Sequence, residues 1–167
     1  MKTHHQQVRM ALFAVIVLVA GTAAQAVVVS YIAVDLNPSG FTESFADDIS
    51  GTQQVGEGSG SATGGNGHAL LWNGSAASYV DLHPSVFDGS VALCTNGTQQ
   101  VGWGYTIGGY EHALLWNGSA ASFVDLNPSG FDNSYAIRTS GTQQVGWGYG
   151  SATGGNYHAL LWNGSTA

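Results

Sequence analysis

Across residues 90–95 (SVALCT) apolar and polar side chains alternate so that Val91 and Leu93 share a face, the period-two pattern of a half-buried strand. Asn96-Gly97 follows, a pair suited to a two-residue type I′ hairpin, in which both central residues take positive φ. A second strand over residues 98–105 then places Val101, Trp103 and Tyr105 on one face. A Gly-rich loop leads to a third strand at residues 112–116, and Asn117-Gly118 turns the chain into a fourth at residues 122–126. Asn127-Pro128-Ser129 ends that strand, because proline cannot donate to a ladder. No later segment sustains a 3.6-residue period, so helix is expected to be minimal.

The same pattern occurs three times. His68-Ala69-Leu70-Leu71-Trp72-Asn73-Gly74-Ser75 recurs from His112 and again from His158. Thr52-Gln53-Gln54-Val55-Gly56 recurs from Thr98 and Thr142, and Val34-Asp35-Leu36 recurs from Val80 and Val124. One two-residue difference in the Gly-rich loop accounts for all the spacings: residues 57–67 and 147–157 are matched by the shorter 103–111. Four antiparallel strands about every 45 residues is the pattern of a β-propeller blade, which buries its faces only by stacking on neighbours.

The predicted fold is therefore all-β: tandem four-stranded antiparallel sheets, propeller-like, in one domain over residues 27–167. Its units run over about 37–82, 83–126 and 127–167, with a fourth-type strand at 31–36 opening the array. That strand is placed to complete the last sheet, which ends after a third-type strand at residues 158–162. Three blades fall short of the usual four to eight. Two chains forming a six-bladed ring, a fragment of a longer array, and an open solenoid all meet the pattern.

The N-terminus reads differently. Lys2 and Arg9 precede an unbroken apolar run at residues 10–20, and Ala24-Gln25-Ala26 is a small-residue cleavage site. Eleven apolar residues fall short of the roughly 20 that a spanning helix needs, so residues 1–26 read as a cleavable export signal and the chain as secreted. Cleavage would leave Arg138 as the one strong cation against ten carboxylates, a net charge of −9 with His neutral. Nucleic acid and anionic membrane surfaces, which need Lys and Arg, are excluded as partners. Cys94 stands alone, so no internal disulfide forms; it reads as a small buried apolar side chain or as an intermolecular link.

Gly-Thr-Gln-Gln-Val-Gly, an aromatic and Gly-rich stretch, His-Ala-Leu-Leu-Trp-Asn-Gly and Val-Asp-Leu-Asn-Pro together resemble the bacterial HAF-type extracellular repeat over residues 31–167. Leu70, Leu114 and Leu160 stand where that family has its defining Phe, which keeps an apolar strand residue. The resemblance implies a secreted, surface-associated repeat protein, in longer members followed by a PEP-CTERM-type sorting segment. No such segment follows Ser165-Thr166-Ala167, so the chain is expected to be released or cut short. The family offers no catalytic residues to carry over.

Two residue sets invite a chemical reading. His68, His112 and His158 open the third strands, and Asp35, Asp81 and Asp125 lie in the fourth, where a His–Asp hydrogen bond can form directly across or diagonally, depending on the turn. Because the pair repeats, it reads as structural, like Trp72, Trp116 and Trp162; a catalytic centre needs one asymmetric constellation. Trp103, Tyr105, Trp147 and Tyr149 are the candidate ligand contacts, aromatic faces able to stack on sugar rings or to pack between sheets. Copy one carries Glu57 and Ser59 there, and Asp47 where Leu93 and Ile137 lie, as expected of a more exposed terminal unit. Asn73, Asn96, Asn117 and Asn163 fit Asn-x-Ser/Thr but read as turn residues. No metal or cofactor motif is present. The sequence thus points to a non-enzymatic extracellular structural or interaction module, with a multivalent carbohydrate-binding propeller as the competing class. Its expected partners are itself, as a homo-oligomer, or surface glycans and proteins.

Overall fold

Alternating strands joined by glycine turns can bury only one face each, and the chain resolves this by laying one sheet on the next. The computed structural model describes residues 30–164, and every sheet lies in the unit that begins at Ala33. The expected export signal and its cleavage site fall outside the described residues. The first sheet comprises β1 (Phe41–Ser50), β2 (Gln53–Gly60), β3 (His68–Trp72) and β4 (Val80–Asp81) in chain order. The second repeats it with β5 (Gly89–Thr95), β6 (Gln100–Tyr105), β7 (Glu111–Trp116) and β8 (Val124–Asp125). The third has three strands, β9 (Asn133–Thr139), β10 (Gln143–Tyr149) and β11 (His158–Asn163). All pairings are antiparallel, and helix among the described residues is confined to three-residue 3-10 turns. The protein is all-β.

Each first strand carries a bulge at the same place, leaving Asp47, Leu93 and Ile137 without a direct partner on β2, β6 and β10. Beside it the backbones approach so closely that a Cβ on Gly102 would lie 1.9 Å from the Val91 carbonyl oxygen. The Val-Gly step of every copy follows from that contact.

Three local expectations differ from what forms. Asn96-Gly97 does not make a two-residue I′ turn: Gly97 has φ +94°, but among the described residues no non-glycine residue, Asn96 included, has positive φ. Asn96 Oδ1 instead accepts from the amides of Thr98 and Gln99 (3.0 and 2.8 Å), which widens the loop and delays β6 to Gln100. The fourth strand is shorter than residues 122–126, because Ala120–Ser122 first makes a 3-10 turn in which Ser122 Oγ accepts from Asn117 N–H. Residues 31–36 form no strand and do not complete the third sheet. Val80-Asp81 and Val124-Asp125 each follow directly on a His-Ala-Leu-Leu-Trp strand and pair with it; among the described residues no such strand precedes Val34-Asp35. Leu36 packs instead against Phe41, Leu70 and Trp72.

The first strand of each later sheet lies on the preceding sheet: β5 on β1–β3, and β9 on β5–β7. Val55, Ala69 and Leu71 of the first sheet thus meet Phe87 and Ala92 of the second. Val101, Ala113 and Leu115 of the second meet Ala136 of the third. Cys94 is buried at that second junction. The sheets form no closed barrel or propeller among the described residues.

Candidate functional site

Repetition shows first at the two junctions. Ser90 on β5 accepts a hydrogen bond at Oγ from the Ala69 amide of β3 (3.0 Å), and Ser134 on β9 accepts one from Ala113 of β7 (3.0 Å). Below it, Gln53 Oε1 accepts from Thr95 Oγ1 and from Gln100 Nε2 (2.8 Å) of the next sheet. Gln99 Oε1 accepts likewise from Thr139 Oγ1 and Gln144 Nε2, both at 3.3 Å. Gln100 Oε1 also accepts from Gly118 N–H, as Gln54 does from Gly74 N–H (both 2.8 Å). Thr-Gln-Gln is therefore a junction motif. Its first Gln reaches forward to the next sheet, and its second ties that sheet back and secures its own Asn-Gly loop.

The His–Asp pair forms in two copies, in the diagonal geometry. Pairing of Leu70 with Asp81 sets His68 across from His83, so His68 Nδ1 reaches Asp81 Oδ2 obliquely at 2.8 Å. His112 Nδ1 reaches Asp125 Oδ2 at the same distance. Asp81 and Asp125 each use their other oxygen to accept the amide two residues on, His83 and Asn127. Asp35 accepts from Asn37 N–H in the same way (2.9 Å). His158 and Asp35 are both exposed, and the structure does not bring them together.

His83 was not singled out by the sequence. It stands where the other copies have Asn37 and Asn127, stacks on His68 with ring centroids 3.9 Å apart, and lies 2.9 Å by Nδ1 from Ser90 Oγ. Asn127 Oδ1 occupies the same place, accepting from Ser134 Oγ at 2.6 Å. Ser90 Oγ thus accepts from Ala69 N–H and lies against His83 Nδ1, the place where Ser134 Oγ donates to Asn127 Oδ1; an unprotonated Nδ1 continues that pattern. Burial, then the neighbouring His68, push the His83 pKa down, in keeping with that role. Ser90, His83, His68 and Asp81 superficially resemble a nucleophile with its bases. Ser90, however, is fully buried and its hydroxyl is committed at both ends, so no substrate reaches it.

The aromatic candidates fall into two groups. Trp103 on β6 is half-buried, edge-on to Tyr105 at 4.6 Å and to Tyr135 of the next sheet at 6.0 Å. Tyr135 in turn lies 6.0 Å from its cross-strand partner Trp147 and donates its hydroxyl to Glu111. Burial and that carboxylate raise the Tyr135 pKa well above the phenol range. Tyr149 accepts from Asn133 Nδ2 (2.7 Å) and packs edge-on against Tyr157 at 4.8 Å. Trp103 therefore serves packing between sheets, whereas Trp147 is 44% exposed. Tyr135, Glu111 and Tyr157 were missed because their positions differ in every copy; cross-strand register with Trp147 was the signal for Tyr135. Trp72 and Trp116 are fully buried, their indole N–H groups without partners, while Trp162 Nε1–H donates to Leu126 O (2.8 Å).

In the first copy Glu57 replaces Trp103, and a cleft of about 250 Å³ opens between Glu43, Glu57, Ser59 and Tyr105. Burial, then the charges of Asp47 and Glu43, raise the Glu57 pKa. Among the described residues no three His, Cys, Asp or Glu are grouped to hold a metal ion, and no helix is long and apolar enough to cross a membrane. No family model, curated protein or solved structure matches this chain.

Proposed function

We propose that this is an exported, non-catalytic repeat protein that works as an extracellular structural or interaction module, with its sheets arranged as propeller blades. One observation carries the reading: the same residues join the sheets at both junctions. Ser, Ala and both Gln bind across or along them, with Thr95 and Thr139 standing where the first copy has Ile49, and in two copies His and Asp pin the short fourth strand. A chain built around catalysis would gather unlike residues at one open cleft. Export rests on Lys2 and Arg9, the apolar run at 10–20 and Ala24-Gln25-Ala26, and agrees with the HAF-type resemblance. Fractionation of expressing cells tests the proposal. The chain is expected outside the cytosol with its N-terminus near Val27, and retention in the cytosol at full length overturns it.

The exposed indole of Trp147 favours a second reading, a sugar-stacking surface repeated along the array. A glycan array probed at high protein concentration decides it: binding abolished by Trp147→Ala supports the lectin, and a blank array removes it.

A further inference from the structure

The outer face of the third sheet is built for a fourth. Val55 and Val101 have no exposed surface, but Val145, at the same place on β10, is 45% exposed. Leu71 and Leu115 are 3% and 8% exposed, against 55% for Leu161, and Ala159 is exposed where Ala69 and Ala113 are buried. These three positions, on β10 and β11, are those on which the next sheet lies at both internal junctions. The outward face of β1 shows the converse. Ala92 and Ala136 are fully buried against the preceding sheet, whereas Ala46 is exposed. Ser44 lacks the incoming amide that Ser90 and Ser134 receive, keeping only its bond to Asn37 Oδ1. A groove of about 690 Å³ runs along the free edge of β11, lined by Leu115, Leu126, Leu161 and Trp162, where β4 and β8 lie in the other sheets.

We infer that a second copy of this chain docks head to tail, its first sheet seated on the exposed face of the third sheet. The internal junctions specify the contact. Ala46 of the incoming copy packs on Ala159 and Leu161, Ser44 Oγ receives the Ala159 amide, and Gln54 reaches Gln143 as Gln144 reaches Gln99. Val34-Asp35 falls beside Leu160-Leu161 as Val124-Asp125 does beside Leu114-Leu115, so Asp35 meets His158 and a third His–Asp bond forms. Asp35 is already set for this, since its bond to Asn37 N–H matches those made by Asp81 and Asp125.

Charge agrees. Asp48, Cys94 and Arg138 occupy the same place in successive sheets, and Asp48 Oδ2 accepts from the Thr95 amide beside Cys94 of the next one (2.9 Å). Docking sets Arg138, the one Lys or Arg beyond residue 9, against Asp48 of the incoming copy. Such a contact is heterologous, with different surfaces on the two sides. Two chains bring six sheets, within the four to eight of a closed ring. The inference gives the interaction module above its first partner, and its readout is mass alone, independent of export and of any glycan.

Light scattering on the purified chain tests it with two variants at exposed positions on opposite faces, Ala46→Asp and Ala159→Asp. The unaltered chain is expected at the mass of two or more chains, and each variant alone at the mass of one. An equimolar mixture recovers the mass of two, because each variant keeps the surface the other lacks. Ile49→Glu and Leu161→Glu form a second complementary pair should either alanine variant lose its β-sheet circular dichroism. An unaltered chain that stays single at every concentration overturns the inference. So does a mixture of folded variants that stays single while the unaltered chain associates.

Discussion

His83 shows how much one substitution between copies can alter a repeat without disturbing it. Asn37 and Asn127 accept from a serine with an amide oxygen that never titrates, whereas His83 sets a ring nitrogen that does against Ser90 Oγ. Its pKa lies below the ordinary 6.5 because burial and the stacked His68 disfavour the charged ring. As pH falls the unfolded chain takes up this proton before the folded chain does. The associated stability is complete above about 6.5 and drains away as pH drops toward the lowered folded value. His83→Asn restores the residue of the other copies and removes the titrating group. Thermal melts from pH 7 to pH 5 are expected to show a smaller acid-side loss in His83→Asn than in the unaltered chain. Equal losses would mean that His83 does not sense the pH.

Sheet junctions are where the elements acquire their individual roles. Ser134 Oγ gives the buried Ala113 amide its acceptor; without it, that N–H is left unsatisfied at a cost of about 1–3 kcal/mol. Ser44 sits at the same place on β1 but receives no amide within the chain. Urea unfolding under conditions where the chain is single should therefore separate two equivalent changes. Ser134→Ala is expected to lose about 1–3 kcal/mol and Ser44→Ala less than about 0.5 kcal/mol. A similar loss in both would assign the effect to the serine's own strand and not to the junction. The first, second and third strands were legible in the sequence, because Val91, Leu93, Val101 and Trp103 alternate and the copies agree. The long-range bonds of Ser90, Gln53 and Gln99 were not, since nothing in a local pattern says which sheet a polar side chain will meet. The Asn96 loop and the two-residue fourth strands escaped for a related reason: Asn96 Oδ1 and Ser122 Oγ compete for backbone amides that a hairpin template assigns to the ladder.

In an array where each sheet touches only its neighbours, stability is set by how many faces are covered. The second sheet is covered on both sides: Val101, Ala113 and Leu115 lie under the third sheet, Leu114 and Trp116 against the first. The third sheet is covered on one side and has three strands, with β11 paired only to β10. Local opening is therefore expected to begin at β11 and β10 and to reach β6 and β7 last. Hydrogen exchange of Ala159→Asp, held as a single chain, tests this directly. Amides at Val145 and Leu161 should exchange well before those at Val101, Leu114 and Leu115, and equal protection throughout would show that the array opens as one unit. The same measurement on the unaltered chain carries the argument further. If an incoming first sheet covers Val145 and Leu161, and Val34-Asp35 pairs with the free edge of β11, protection of β10 and β11 rises toward that of β6 and β7. The gradient then flattens with protein concentration, since the missing neighbour is supplied by another copy and its occupancy follows mass action.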